Sequence, residues 1–155
     1  MTDGPDERLA ALGVELPAPP APAAAYKPWS VAGDLVFTAG QLPLVDGKLL
    51  RTGRLGDEVT TAEGADLARA AAINVLAVAR AAAGDLRRVR VVKLTVFVAS
   101  ADGYTEQHLV ANGASEFVAQ VLGDDGLHAR SAVGVASLPL GAPVEVEAVL
   151  RLGAA

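Results

Sequence analysis

Glu145 and Glu147 are candidate functional residues because both carboxylates lie in the alternating segment 144–148 (VEVEA). Alternate side chains of a strand share a face, so the two glutamates lie on one face and the small apolar residues on the other. Arg130 begins the strand predicted just before this segment, which could place its guanidinium on the same face as one of the glutamates. A guanidinium binds a carboxylate through two parallel hydrogen bonds, so this arrangement would suit a small organic acid.

The spacing of these residues also allows a second interpretation. On an antiparallel sheet with one solvated face, Glu145 and Glu147 would simply point into water. The alternation of the strand does not distinguish a solvated face from a cleft that Arg130 shares.

The composition excludes several classes of site. The 155 residues contain no cysteine, which rules out disulfides, thiolate metal sites and cysteine nucleophiles. His108 and His128 are the only histidines and lie 20 residues apart, too few for a zinc site rich in histidine, so no metal is expected and His108 is predicted to lie on a helix surface. Glycine-rich nucleotide motifs and the serine-hydrolase elbow are missing from the sequence, and no cofactor is expected.

The charge pattern argues against nucleic acid and membrane partners. There are 13 Lys and Arg against 18 Asp and Glu, a net charge of −5. The basic run 87–90 is better explained as a solvated strand edge than as a phosphate site. Charged residues interrupt the alanine-rich segment 62–83, and the first nine residues are acidic rather than signal-like, so we expect a cytoplasmic protein.

The predicted elements begin with a Pro/Ala-rich arm over residues 1–25, which includes a possible short helix at 6–16. Residues 26–155 are expected to form a single domain. Within it, strands are predicted at 29–31, 35–39, 48–50, 89–99, 130–136 and 144–152. Residues 92, 94, 96 and 98 are expected to share an apolar face of the fourth strand.

Two long helices are predicted between these strands. The first begins at Thr60, where the Thr-x-x-Glu spacing to Glu63 is typical of a capping box, and ends at Gly84. The second spans 104–122, with Asp102 as its cap and residues 109, 117 and 121 facing the core. This order predicts an α+β fold, with one mixed sheet and both helices on one face.

Two motifs in the chain closely resemble the signatures of the reactive intermediate deaminase family, also called RidA or YjgF. The C-terminal motif is 128–139 (HARSAVGVASLP) followed by 144–148, and the N-terminal motif is 33–43 (GDLVFTAGQLP). Together with the element order, the resemblance covers roughly residues 26–152, and the Pro-rich arm resembles a longer-chain subgroup. It implies a chorismate-mutase-like (YjgF-like) fold and a homotrimer with clefts between subunits.

The resemblance also implies an activity. Members of this family hydrolyse enamine and imine intermediates such as 2-aminoacrylate to a 2-oxo acid and ammonia, without a cofactor. By residue matching, Arg130 would hold the substrate carboxylate and Glu145 the attacking water. Tyr26, Asn112 and the backbone amide of Ala132 would bind substrate. The chain is thus expected to be a 2-iminobutanoate/2-iminopropanoate deaminase-like hydrolase, with a small imino or oxo acid as its partner.

Two positions depart from the family pattern and keep alternatives open. Many members have serine at the position of Ala39 and cysteine at that of Ala132. Loss of the first hydroxyl removes one hydrogen bond, about 1 kcal/mol net. A non-catalytic 2-oxo acid binding protein that uses the same clefts is the main alternative. Ribonuclease activity, associated with relatives named liver perchloric-acid-soluble protein, is a weaker one because the chain is acidic.

Overall fold

A computed structural model describes residues 4–19, 21 and 24–154. Its elements follow one another as an amino-terminal helix, four short strands, a long helix, a long strand, a second long helix and two further strands. In chain order they are α1 (Pro5–Ala11), β1 (Trp29–Ala32), β2 (Leu35–Thr38), β3 (Leu44–Val45), β4 (Lys48–Leu49), α2 (Thr61–Ala83), β5 (Val89–Ala99), α3 (Gln107–Leu122), β6 (Ala129–Val135) and β7 (Val144–Leu152).

Five strands form the main sheet in the order β1-β2-β7-β5-β6. Only β5 and β6 pair in parallel, as a strand, crossover helix and strand require, so the predicted mixed sheet is confirmed. The strand predicted at 48–50 is instead β4, which pairs only with β3 in a separate hairpin. Asp46 and Gly47 both have positive φ at its turn, so the Asp-Gly hairpin signal was correct but the hairpin lies outside the sheet.

The ends of α2 follow from local chemistry. Glu63 N–H donates to the Thr60 hydroxyl at 3.3 Å, and Thr60 N–H donates to the Glu63 carboxylate at 2.8 Å, which completes the predicted capping box. Gly84 ends the helix with φ of 78°, a left-handed conformation that glycine adopts without strain.

The start of α3 was predicted one turn too early. The helix begins at Gln107, and Asp102 does not cap it. Tyr104 N–H donates instead to the Ala101 carbonyl at 3.1 Å, and its hydroxyl lies 2.9 Å from Thr61 Oγ1, so residues 101–104 form a turn against α2. Leu109, predicted to face the core, is 41% exposed.

The two faces of the sheet are covered differently. Helices α2 and α3 pack on the face that carries Leu94, Val96 and Val146, all fully buried. The opposite face, termed the open face, carries Phe97, Val133, Phe37, Glu145 and Glu147.

A bulge in β5 breaks the predicted alternation near its start. The register with β7 shifts between Val91 and Lys93, so Val91 is buried and Val92 is 41% exposed. The apolar row predicted at 92, 94, 96 and 98 therefore begins at residue 94.

The amino-terminal arm packs on the helical layer. The helix α1 is shorter than the predicted segment 6–16, and parts of the predicted arm (residues 1–3, 20, 22 and 23) lie outside the described residues. Leu9 and Leu16 are buried, and Arg8 Nη1 donates to the Val121 carbonyl at 3.2 Å. Among the described helices, none has the length and apolarity needed to cross a bilayer.

Candidate functional site

Arg130 is held against α3 on the helical side of the sheet. Its partner across the parallel ladder is Leu94, whose side chain is buried under the helices, so the arginine points towards them. Its Nη1 donates to Asn112 Oδ1 at 2.9 Å and to Ser115 Oγ at 3.1 Å, while Nη2 donates to the His108 carbonyl at 3.2 Å. The side chain that sequence matching assigned to a substrate carboxylate is therefore anchored by three acceptors of one helix.

These contacts leave Arg130 able to bind an anion. A guanidinium has five N–H groups, and the three hydrogen bonds leave two without an acceptor among the described residues. None of its acceptors is a carboxylate, so no contact within the described chain neutralises its positive charge. Strand β6 is also at the edge of the sheet, where another molecule can approach.

Ser115 and His128 extend the contacts of the arginine. His128 Nε2 lies 2.9 Å from Ser115 Oγ, and its Nδ1 lies 2.6 Å from the carbonyl oxygen of Gly126. We refer to Arg130, Asn112, Ser115 and His128 as the arginine cluster.

Ala132 lies beside this cluster. It is two residues beyond Arg130 on β6 and pairs with Val96, so its side chain faces the helical layer and packs against the core. The side chain of Ala132 therefore lies on the same face as that of Arg130.

Glu145 lies on the other side of the sheet. It pairs with Phe97, which pairs in turn with Val133, and all three belong to the open face. Burial and the nearby charge of Glu147 raise the pKa of the Glu145 carboxyl above its usual value of 4.5. The half-buried carboxyl thus holds a proton more readily than an ordinary surface glutamate.

Gly40 makes room for Glu145. A Cβ at residue 40 would lie 1.9 Å from Glu145 Oε1 and 2.7 Å from its Cδ. The next residue, Gln41, exchanges two backbone hydrogen bonds with Val146, at 2.8 and 2.9 Å, which fixes this segment beside β7. We refer to Glu145, Gly40 and Ala39 as the glutamate site.

Tyr26 belongs to the segment next to the glutamate site. Ala39 N–H donates to the Pro28 carbonyl at 2.8 Å, which brings the chain just after Tyr26 beside residue 39. Tyr26 is 57% exposed, and its hydroxyl has no hydrogen-bond partner among the described residues.

The interpretation in which Arg130 shares a face with the glutamates of its own chain is wrong. Strand β5 lies between β6 and β7, so the two strands are roughly 10 Å apart. Their side chains also have opposite parity, because Arg130 aligns with Leu94 and Ala148, whereas Glu145 aligns with Phe97. The sheet itself separates the two groups.

Sequence reasoning missed three residues of these two regions. Ser115 gave no signal, since a helical serine is common, and His128, although part of the recognised motif 128–139, was considered only as a metal ligand. Gly40 lay within the recognised motif 33–43, but its closeness to Glu145 depends on the pairing of two segments about 100 residues apart. An open cleft of about 710 Å³ lies between Arg151 and Ala129 at one end of the sheet. Neither Arg130 nor Glu145 lines it.

The fold and the site residues together define an α+β protein of the chorismate-mutase-like class. The sequence profile of the family described as "YjgF/chorismate mutase-like, putative endoribonuclease" matches residues 6–149, and the chain belongs to this family. The resemblance inferred from the two motifs is thus confirmed.

Similar proteins come from both a trypanosome and bacteria. Protein TCP17 of Trypanosoma cruzi is 50% identical over 146 residues, which cover 93% of this chain and 91% of that protein. The crystal structure of Atu1372 from Agrobacterium tumefaciens has a TM-score of 0.90 at 45% identity, covering 96% of this chain and 92% of that one. A crystal structure of E. coli TdcF with bound serine has a TM-score of 0.63 at 25% identity, covering 88% and 94%.

Proposed function

We propose that this protein hydrolyses reactive enamine and imine intermediates of the 2-aminoacrylate type to 2-oxo acids and ammonia. The observation that carries the proposal is Arg130, which is fixed by three hydrogen bonds yet retains two N–H groups and an unneutralised charge. Such a group suits the carboxylate of a small imino acid. The bound serine of the related TdcF has the same carboxylate and a similar size. We propose that the reaction takes place in the cytoplasm.

The chemistry requires one activated water. An enamine such as 2-aminoacrylate tautomerises to the imine, and water adds to the C=N carbon to give a carbinolamine. Its C–N bond then breaks as the C=O bond forms, and ammonia leaves with the protons released by water. Glu145 is assigned to orient this water and to carry a proton between oxygen and nitrogen, a role that its raised pKa supports.

The proposed site is completed by a second copy of the chain. Arg130 and Glu145 lie on opposite faces of one sheet, so one substrate cannot contact both within a subunit. In a homotrimer, the arginine cluster of one chain would face the glutamate site of the next, and each of three clefts would hold one complete set. Tyr26 and the Ala132 amide are assigned to substrate binding in these clefts.

A non-catalytic 2-oxo acid binding protein is the second candidate. Ala39 has no hydroxyl to offer beside Glu145, and the arginine cluster alone suffices to hold a carboxylate. Ribonuclease activity is the third candidate, and the family description, which names an endoribonuclease, supports it.

A coupled assay tests the proposal. A serine or threonine dehydratase supplies the imine, and 2-oxo acid formation is followed above the spontaneous rate. We expect acceleration by the wild type, none by Arg130→Ala, and full activity in the control Arg87→Ala, whose arginine pairs with Asp85 on the surface. Binding of pyruvate without acceleration would favour the binding protein, and RNA cleavage that persists through repurification would favour the ribonuclease.

Mixing two inactive variants tests the shared cleft. Arg130→Ala and Glu145→Gln chains, unfolded together and refolded at equal amounts, would place an intact arginine cluster opposite an intact glutamate site in some clefts. Random mixing places both variants in about three quarters of the trimers, and one of the three clefts in each mixed trimer is intact. About one quarter of the wild-type activity should therefore return. A site formed within one chain predicts no recovery.

A further inference from the structure

We propose that Ser115 and His128 are positioning residues that fix the Arg130 guanidinium for its ligand. The inference rests on the proposed function of Arg130 and extends it to two residues that do not touch the substrate themselves. It is carried by the chain of hydrogen bonds from the Gly126 carbonyl through the histidine and the serine to the guanidinium.

The direction of each hydrogen bond follows from its acceptors. The Gly126 carbonyl can only accept, so Nδ1 of His128 carries a proton and donates to it. In the neutral imidazole, Nε2 is then an acceptor, and the Ser115 hydroxyl donates a hydrogen bond to it. The oxygen lone pairs of Ser115 are left facing Nη1–H of Arg130.

His128 prevents Ser115 from using its hydroxyl elsewhere. A serine inside a helix commonly donates to the carbonyl four residues earlier, which would turn its hydroxyl towards its own helix. Here the hydroxyl donates to His128 across the gap between α3 and β6, so the serine bridges the two elements. The arrangement directs an acceptor at the arginine.

The bridge restricts the arginine before a ligand arrives. A long side chain loses rotational freedom when it binds, and this loss weakens binding unless the protein has already imposed it. Asn112 and Ser115 accept from the same nitrogen, Nη1, while the His108 carbonyl accepts from Nη2. Rotation of the guanidinium plane would break all three contacts, so its remaining N–H groups keep one direction.

Three variants separate positioning from a general structural role. Ser115→Ala removes the bridge. His128→Asn keeps a donor for the Gly126 carbonyl but has no acceptor for Ser115, whereas the longer His128→Gln can present an amide oxygen near the place of Nε2. Gln120→Ala, at an exposed position on the same helix, is the control.

The coupled assay measures KM and kcat for each variant, and urea unfolding checks that each is folded. We expect KM to rise about fivefold in Ser115→Ala and His128→Asn, with kcat within about twofold, because about one hydrogen bond of anchoring is lost. His128→Gln and Gln120→Ala should stay within about twofold of the wild type. An unchanged KM in Ser115→Ala, or equal losses in His128→Asn and His128→Gln, would overturn the proposal.

A spectroscopic measurement decides the proposal even without turnover. Nitrogen-15 spectra at low temperature should show separate Nη signals for Arg130 in the wild type and in His128→Gln, because rotation of the guanidinium is hindered. These signals should merge in Ser115→Ala and His128→Asn. Hindered rotation in all four proteins would refute positioning by Ser115 and His128. Failure of the wild type to accelerate 2-oxo acid formation, with or without pyruvate binding, would instead refute the proposed function.

Discussion

The polar side chains of the arginine cluster all have hydrogen-bond partners within the chain, whereas the carboxylate of Glu145 has none among the described residues. The guanidinium of Arg130 is charged and held by three hydrogen bonds, which suits a group that recognises a ligand. Glu145 is half-buried beside Glu147, and its carboxyl has a raised pKa, which suits a group that exchanges protons. The contrast is consistent with the proposed function, in which binding and chemistry are divided between opposite faces of one sheet.

The largest effect is expected from removal of the guanidinium. Arg130→Ala should lower kcat/KM by about 100-fold or more, because a carboxylate would then bind without its charged partner. Arg130→Lys should recover only part of this loss, since an ammonium does not reproduce the planar fork. Steady-state rates in the coupled assay measure both. Full activity of the lysine variant would show that a positive charge at residue 130 suffices to bind the carboxylate, whatever the geometry of its donors.

Displacement of the Glu145 carboxylate should have the next largest effect. In Gly40→Ala the new methyl group would lie 1.9 Å from the present position of Oε1, so the side chain must move. We expect kcat to fall about tenfold with little change in KM, since a misplaced catalytic group loses orientation. In a Glu145→Gln background the same substitution should have no further effect on kcat. An additive loss would show that Gly40 acts independently of Glu145.

A smaller effect is expected at Asn112. Its side-chain oxygen accepts from Arg130 Nη1 at 2.9 Å, so Asn112→Ala should raise KM about fivefold and leave kcat nearly unchanged. The effect should disappear in an Arg130→Ala background, where pyruvate binding can be followed by calorimetry. A remaining loss there would mean that Asn112 contacts the ligand directly.

The smallest effect concerns stability and pH. The pKa of the Glu145 carboxyl is raised in the folded state, which therefore binds this proton more tightly than the unfolded state does. The free energy of unfolding consequently falls as the pH rises above 4.5 and Glu145 ionises. Glu145→Gln should therefore be more stable than the wild type at pH 7, by less than about 1 kcal/mol because solvent screens the half-exposed charge. Urea unfolding should show the difference vanish below pH 4.5. A destabilised Glu145→Gln at pH 7 would contradict the assigned cause.

The sequence was informative where structure depends on neighbours in the chain. Thr60 and Glu63 define the start of α2, and Gly84 defines its end, because capping involves residues within one turn. The bounds of β5 and β7 followed equally from local alternation. The start of α3 did not, because Tyr104 is held by a contact with Thr61 that no local pattern encodes.

The candidate site was predictable residue by residue but not in its arrangement. The motifs contain Arg130 and Glu145, residue matching to the family added Asn112, and the structure joins Arg130 to Asn112 through a hydrogen bond. The expectation that Arg130 shares a face with Glu145 failed because chain order does not give sheet order: β5 lies between the strands that carry them. Ser115 and Gly40 were missed because their roles depend on contacts between distant segments.

The separation of Arg130 from Glu145 by the sheet has a kinetic consequence. If the two regions act together across subunits, as we propose, an isolated chain cannot catalyse the reaction. Specific activity then depends on protein concentration: it is constant while chains remain associated and falls on dilution below the dissociation constant of the assembly. A newly synthesised chain would be inactive until it associated with two others. At low concentrations, the total activity in the cell would therefore rise more steeply than the number of chains.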